Sequence, residues 1–306
     1  MTSLLHFGWI QFNEDGSCNT TIEGEPLDPT QVAEIERYLS FLAKNRISLI
    51  EYLVCDANYK LCEQLSSDLT EIAFGEKNIV ANSTSAGVRM YALLDQRTSA
   101  FISSCSTFRD RLLKREGASR KSDHPLIETL SNIYDANFEY RLFYNLRNIG
   151  LHQESIFRNL PVAGDWIQKD KFQVNLLMDP SALQDALSKG NGQKLVRDEL
   201  GALSNEIDFV HSAKKYLFHM KNLFFVYLLN QGDELINFLH FFRTLKAGVR
   251  GSPPGAMLLL FSDFDPAASG MQDCKPSNQN LKATLTSMDE AEIYLALFPE
   301  FNPSET

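Results

Sequence analysis

The stretch LDPTQVAEIERYLSFLAKNRISLIEYLV, residues 27–54, decides the fold class. Asp28 can cap a helix and Pro29 suits its first position. Val32, Ile35, Tyr38, Leu39, Leu42, Ile47, Leu49, Ile50 and Leu53 then approximate a helical stripe. A long helix is expected from residue 28. C-terminal to it, a further helical segment is expected over about 59–74, ending at Gly75. Another spans about 85–116, carrying Met90, Leu93, Leu94, Phe101, Phe108, Leu112 and Leu113. The next begins at Asp123, with Pro125 just inside it, and continues through Leu126, Leu130, Ile133, Phe138, Leu142, Leu146 and Ile149. Four helices thus precede residue 155.

The flanks read differently. Residues 1–27 mix aromatic and β-branched residues with Asp15-Gly16, the pattern of a short strand or hairpin. DKFQVNLLMD (170–179) reads as a strand and PSALQDALSKGNG (180–192) as a short helix ended by glycines. Residues 195–247 form an aromatic-rich helical stretch with room for a break near Gly232. GSPPGAMLLLFSDFD (251–265) suggests a loop entering a buried strand, and a last helix is expected near 288–297. The chain is therefore read as mainly α with minor β elements. Its expected domains are an N-terminal extended segment (1–27), a helical body (28–250) holding a strand-containing insertion near 156–180, and a C-terminal strand and helix (251–306). No internal repeat or low-complexity tract is visible. The glycines of 190–192 lack the strand–glycine–helix context of a dinucleotide fingerprint.

Composition narrows the function classes. A chain of 306 residues, 44% of them hydrophobic, can bury one large core or two modest ones. Its 29 Lys and Arg against 39 Asp and Glu give a formal charge of -10, which repels phosphate backbones at long range. Any nucleic acid must be captured by a local patch. The cysteines (Cys18, Cys55, Cys62, Cys105, Cys274) are scattered and contain no C-x-x-C, which argues against a disulfide framework or structural zinc and fits a reducing compartment. The N-terminus lacks the basic and apolar regions of a signal peptide, and the apolar run Leu223–Leu229 is too short to span a bilayer. A cytoplasmic protein with no membrane association is expected.

The segment YRLFYNLRNIGLHQES (140–155) carries the candidate chemistry. At about 100 degrees per residue, Arg141, Asn145, Asn148 and His152 fall on one strip beside the apolar Leu142, Leu146 and Ile149. Such a polar seam can line a cleft or an isologous helix interface, where an imidazole is poised near neutral pH. Arg147 lies outside the seam, about 140 degrees from His152. Two arrangements would bring the pair together: a helix that ends or distorts at Gly150, or a site in which each copy's arginine meets the other copy's histidine.

The run Leu146-Arg147-Asn148-x-x-x-His152 resembles the R-x4-6-H signature of the HEPN superfamily, including its polar residue after the arginine. Members of that superfamily are helical bundles, commonly dimeric, and many are metal-independent ribonucleases serving as toxins, phage-defence effectors and CRISPR-associated RNases. The resemblance implies a HEPN-like bundle and a homodimer. It also implies an RNA substrate, no cofactor or metal, and an antitoxin or defence-system partner. In RNA cleavage by internal transfer, His152 would act as general acid or base. Arg147 would clamp the phosphate and Asn148 would orient it; the need for a 2'-OH restricts the substrate to RNA.

The basic stretch FRDRLLKREGASRK (108–121) supplies Arg115, Arg120 and Lys121 as candidate RNA contacts alongside Arg141 and Asn145. On a continuous motif helix it would lie about 26 to 35 Å from Arg147, within reach only of a partner or of bound RNA. His211 and His219 are read as structural, His124 as a helix-start residue and His240 as packed. The alternative reading is a helical interaction or regulatory module without chemistry, in which Arg147 merely complements a helix dipole and His152 is an ordinary helix-tail residue.

Overall fold

The computed structural model describes residues 5–12, 18–22, 27–74, 84–118, 123–150, 157, 162–165, 168–189, 194–248, 257–262 and 293–299. These are mostly helical with a few short strands, as the periodicity predicts. The chain divides into two compact units, one of Ser48–Asn230 and one of Met1–Ile47 with Gln231–Thr306. This division does not follow the sequence-read boundaries at 27 and 250.

In the second of these units, β1 (Leu5–Phe12) pairs antiparallel with β2 (Cys18–Ile22), as expected for a hairpin. The far edge of β1 takes β7 (Met257–Ser262), also antiparallel. The N-terminal and C-terminal segments, read from the sequence as separate, thus form one sheet, because a two-stranded ribbon leaves an edge of unpaired amides that a third strand satisfies. Helix α1 (Pro29–Phe74) starts where expected. Asp28 Oδ1 accepts from the amides of Thr30 and Gln31, at 2.7 and 2.9 Å, while Gln31 reaches back to the Asp28 amide. The unit's core is aromatic: Tyr38 and Phe41 meet Phe238, on α8 (Glu234–Gly248), and Phe41 meets Tyr294. Asn45 and Gln231 exchange side-chain amide bonds. The expected break near Gly232 falls between α7 (Phe209–Leu229) and α8, where Gly232 has φ 101°, a conformation open to glycine.

The long helix expected from residue 28 and the further one expected over about 59–74 are in fact the single α1. No proline or glycine lies between them, and Cys55, Tyr59, Cys62, Leu65 and Leu69 carry the buried stripe through. The helix expected from Asp123 to the motif is instead two, α3 (Pro125–Ala136) and α4 (Phe138–Gly150). His124, not Asp123, caps α3, with Nδ1 accepting from the Leu126 amide. The break falls at Asn137, an extended residue with φ -125° and ψ 115°, whose backbone and side-chain amides both bond the Ile133 carbonyl.

Helix α2 (Thr84–Arg115) packs against α4, and both pack against α7. Phe143 stacks on Tyr216 with centroids 5.0 Å apart and meets Phe101 edge-on, while Tyr52 stacks on Phe224. Beyond α4, the strand expected over 170–179 is two: β4 (Gln168–Val174) pairs with β3 (Val162–Asp165), and β5 (Leu177–Met178) pairs with β6 (Ile207–Asp208). Helices α5 (Pro180–Lys189) and α6 (Lys194–Ala202) pack together, so the stretch expected as helical over 195–247 is interrupted at residues 203–208 before α7 begins. The last helix is described only over 293–297; the remainder of the expected 288–297 lies outside the described residues.

Arg141 fixes the α3–α4 break. It is 5% exposed, its guanidinium donates to the carbonyls of Tyr134 and Asp135, and it forms an ion pair with Glu199 of α6. It thereby satisfies carbonyls that the end of α3 leaves unbonded. Arg141→Ala should lower stability by about 2–4 kcal/mol, the cost of a broken buried pair and orphaned acceptors, read as a shift of the urea midpoint. An unchanged midpoint would mean that Arg141 does not hold the break.

Candidate functional site

Helix α4 carries the candidate residues. Tyr140, Leu142, Phe143 and Leu146 form its apolar buried face, and two residues of the expected polar seam, Arg141 and Asn145, are buried with them. Asn145 donates to the Arg141 carbonyl, and Arg141 is engaged as described above. Of the seam, the backbone of Asn148 is described but not its side chain, and His152 lies outside the described residues, as do Arg120 and Lys121.

Arg147 stands at the C-terminal end of α4 with 36% of its side chain exposed. Its Nη1 donates to Asp110 Oδ2 at 3.0 Å. Asp110 belongs to α2 and lies within the basic stretch that the sequence placed about 26 to 35 Å away. That distance assumed one continuous helix; with the chain turning at Asn137, α4 runs against α2 and the two segments meet. Asp110 also accepts, at Oδ1, from Arg109 Nε and Nη2 at 3.0 and 2.7 Å. One carboxylate therefore bridges two arginines. The side chain of Arg109 is only 8% exposed, and its guanidinium lies over the Tyr144 ring at 4.7 Å.

Beside this array is a cleft of about 410 Å³ between α2, α3 and α4. Its walls include Arg109, Asp110, Tyr134, Asp135, Tyr140 and Tyr144, with Leu113, Ile127 and Leu130 supplying apolar surface. Burial raises the phenol pKa of both Tyr134 and Tyr140; at Tyr140 the nearby Arg109 charge opposes it. The tyrosines are neutral hydrogen-bonding groups at physiological pH. The sequence reading missed Arg109, Asp110 and the tyrosine wall. A signal was present: Arg109 adjoins Phe108 on the stripe of Phe101, Cys105 and Leu112, all buried, so a charged residue was being drawn into the interior.

Arg115, named from the sequence as an RNA contact, is clamped on Glu51 by bonds of 2.7 and 2.9 Å and also donates to Ser48. Arg111 joins the same carboxylate at 2.8 Å. Among the histidines, His219 is buried and His124 caps a helix, while His240, expected to be packed, is exposed because it sits on the outer face of α8 opposite Phe238, Leu239 and Phe242. His211 is exposed too, near the start of α7, where its amide bonds the Asp208 cap.

Comparison with protein-family models, with curated proteins and with solved structures finds no match.

Burial would raise the Glu51 carboxyl pKa, but the hydrogen bonds from Arg115 and Arg111 outweigh it and hold the group below the ordinary glutamate range. A depressed folded-state pKa contributes stability that is complete above the unfolded pKa and is lost as pH falls through the folded one. Denaturation profiles from pH 7 down to pH 3 should therefore show part of the acid-induced loss disappearing in Glu51→Gln. An identical pH slope in the variant would contradict the assignment.

Proposed function

We propose that the chain is a metal-independent endoribonuclease of the HEPN type, cytoplasmic and acting in a toxin or phage-defence setting. The observation that carries this reading is the position of Arg147. It is half-exposed at the end of its helix, restrained by Asp110 and set beside a cleft with aromatic walls. A phosphate offers an arginine two acceptors in place of one carboxylate oxygen, and this is the exchange a phosphate clamp requires. The helical surroundings fit the bundle that the motif implies. In this proposal His152 moves the proton at the 2'-oxygen or the leaving 5'-oxygen, Asn148 orients the phosphate, and Arg147 stabilises the charge that develops on it.

The test is cleavage of mixed RNA in EDTA by the wild-type chain, Arg147→Ala and His152→Ala. The wild type should leave 2',3'-cyclic phosphate ends, and each variant should lose about 100-fold or more in rate. Cleavage indifferent to both substitutions would overturn the assignment.

A homodimer is part of the proposal. Ile50, Val54, Ala57 and Leu61 of α1 follow one another at steps of 4, 3 and 4 on an exposed face, with Ile50 51% and Leu61 42% exposed. This is the spacing of a coiled-coil seam, which a second copy of the same helix complements. Val54→Asp should convert a dimer to a monomer in sedimentation velocity; a wild-type chain that sediments as a monomer would refute the seam.

A second reading, a non-catalytic interaction or regulatory module, is favoured by a specific observation. Arg141, Asn145 and Arg115 are all engaged within the protein, so three of the residues named for RNA contact serve the fold. A wild-type chain inert toward RNA is the outcome expected of that module.

A further inference from the structure

The cleft between α2, α3 and α4 has a composition that selects its ligand. Its volume of about 410 Å³ suits a small molecule or one nucleotide rather than a protein segment. Tyr134 stands at 86° to Tyr144, so these two part-exposed rings form a corner of π surface, backed by Tyr140, which is buried. Such surfaces hold planar heterocycles by stacking. The formal charges cancel only with Asp135 included: Arg109 and Arg147 stand against Asp110 and Asp135. That balance disfavours a ligand recognised by charge alone.

Besides Arg109 Nη1, which is buried with no hydrogen-bond partner among the described residues, a carboxylate on the cleft wall is uncommitted. The carboxylate of Asp135, exposed on the cleft wall, makes no hydrogen bond or ion pair among the described residues. A carboxylate accepts only, at two oxygens, and is best matched by two adjacent donors. Among the common bases guanine alone presents such a pair, N1–H beside the N2 amino group. Adenine sets a ring acceptor next to its amino group, as does cytosine, and uracil flanks its single N–H with carbonyls.

We infer that this cleft is a guanine-binding site, with the base against the tyrosine corner and its N1–H and N2 amino group on Asp135. The inference rests on the ribonuclease reading for its role: a guanosine held there lies one carboxylate away from Arg147, so the site would set base preference next to the cut.

The test is calorimetric titration of the full chain with 5'-GMP, and with AMP, CMP and UMP, repeated on Asp135→Asn. GMP should bind about tenfold or more tightly than AMP, and the substitution should abolish that preference while leaving AMP binding unchanged, as expected for loss of a charged hydrogen-bond pair. Asp135 is exposed, so the variant should melt as the wild type does. GMP binding no tighter than AMP, or a preference that survives Asp135→Asn, overturns the inference. Because binding is read without cleavage, the two proposals fail separately: RNA cleavage by a chain that shows no GMP preference removes the guanine site alone, and GMP selectivity in a chain inert toward RNA removes the nuclease alone.

Discussion

The arrangement of the candidate site depends on the turn at Asn137 and on the buried Arg141 that holds it. In a straight helix beginning at Pro125, Arg147 would stand about 33 Å along the axis from that start. The turn instead lays α4 along α2, so that Arg147 and Asp110 are 3.0 Å apart. Arg141 supports this geometry from both sides. It bonds the last carbonyls of α3, and its ion pair with Glu199 ties the turn to α6. The site and the fold therefore share one constraint, and a residue that looked like part of the chemistry secures the backbone that positions it.

The charge distribution follows from the same packing. A chain of formal charge -10 gains little from long-range attraction to RNA. Five arginines of the Ser48–Asn230 unit near the site are drawn into pairs with carboxylates: Arg115 and Arg111 with Glu51, Arg141 with Glu199, Arg109 and Arg147 with Asp110. These pairs differ in how readily they exchange. The Arg147–Asp110 pair is open to solvent, and pairs of that kind contribute about 1 kcal/mol or less, so an incoming phosphate can displace Asp110 at small cost. Arg109 is buried and remains with Asp110, so Asp110 stays neutralised when Arg147 turns to a phosphate. The local field at the cleft is governed by this triad more than by the net charge.

The fold class was legible in the sequence because helical periodicity is a local property: the start of α1, the span of α2 and the place of Pro125 in the first turn of α3 were evident from the Asp28 cap, the proline and apolar spacing. Helix limits were less so. Asn137 carries no proline or glycine to announce a break, and what stabilises the turn is Glu199, 58 residues from Arg141 and invisible to any local reading. The three-stranded sheet escaped for the same reason, since β1 and β7 come from opposite ends of the chain. At the candidate site, Arg147 was singled out by its spacing from His152, whereas Asp110 was not, because it reaches Arg147 only through the packing of α2 on α4. The tyrosine wall was hidden too: Tyr140 and Tyr144 read as an ordinary helix face until α3 brings Tyr134 against them.

The most direct measurement is photo-crosslinking of the intact chain to a short RNA carrying 6-thioguanosine, followed by mass spectrometric mapping of the modified residues. Attachment is expected within α3 and α4, at or beside Tyr134, Asp135 and Tyr144. Crosslinks that fall elsewhere would contradict the claim that the Arg147 array and the neighbouring cleft form one RNA site.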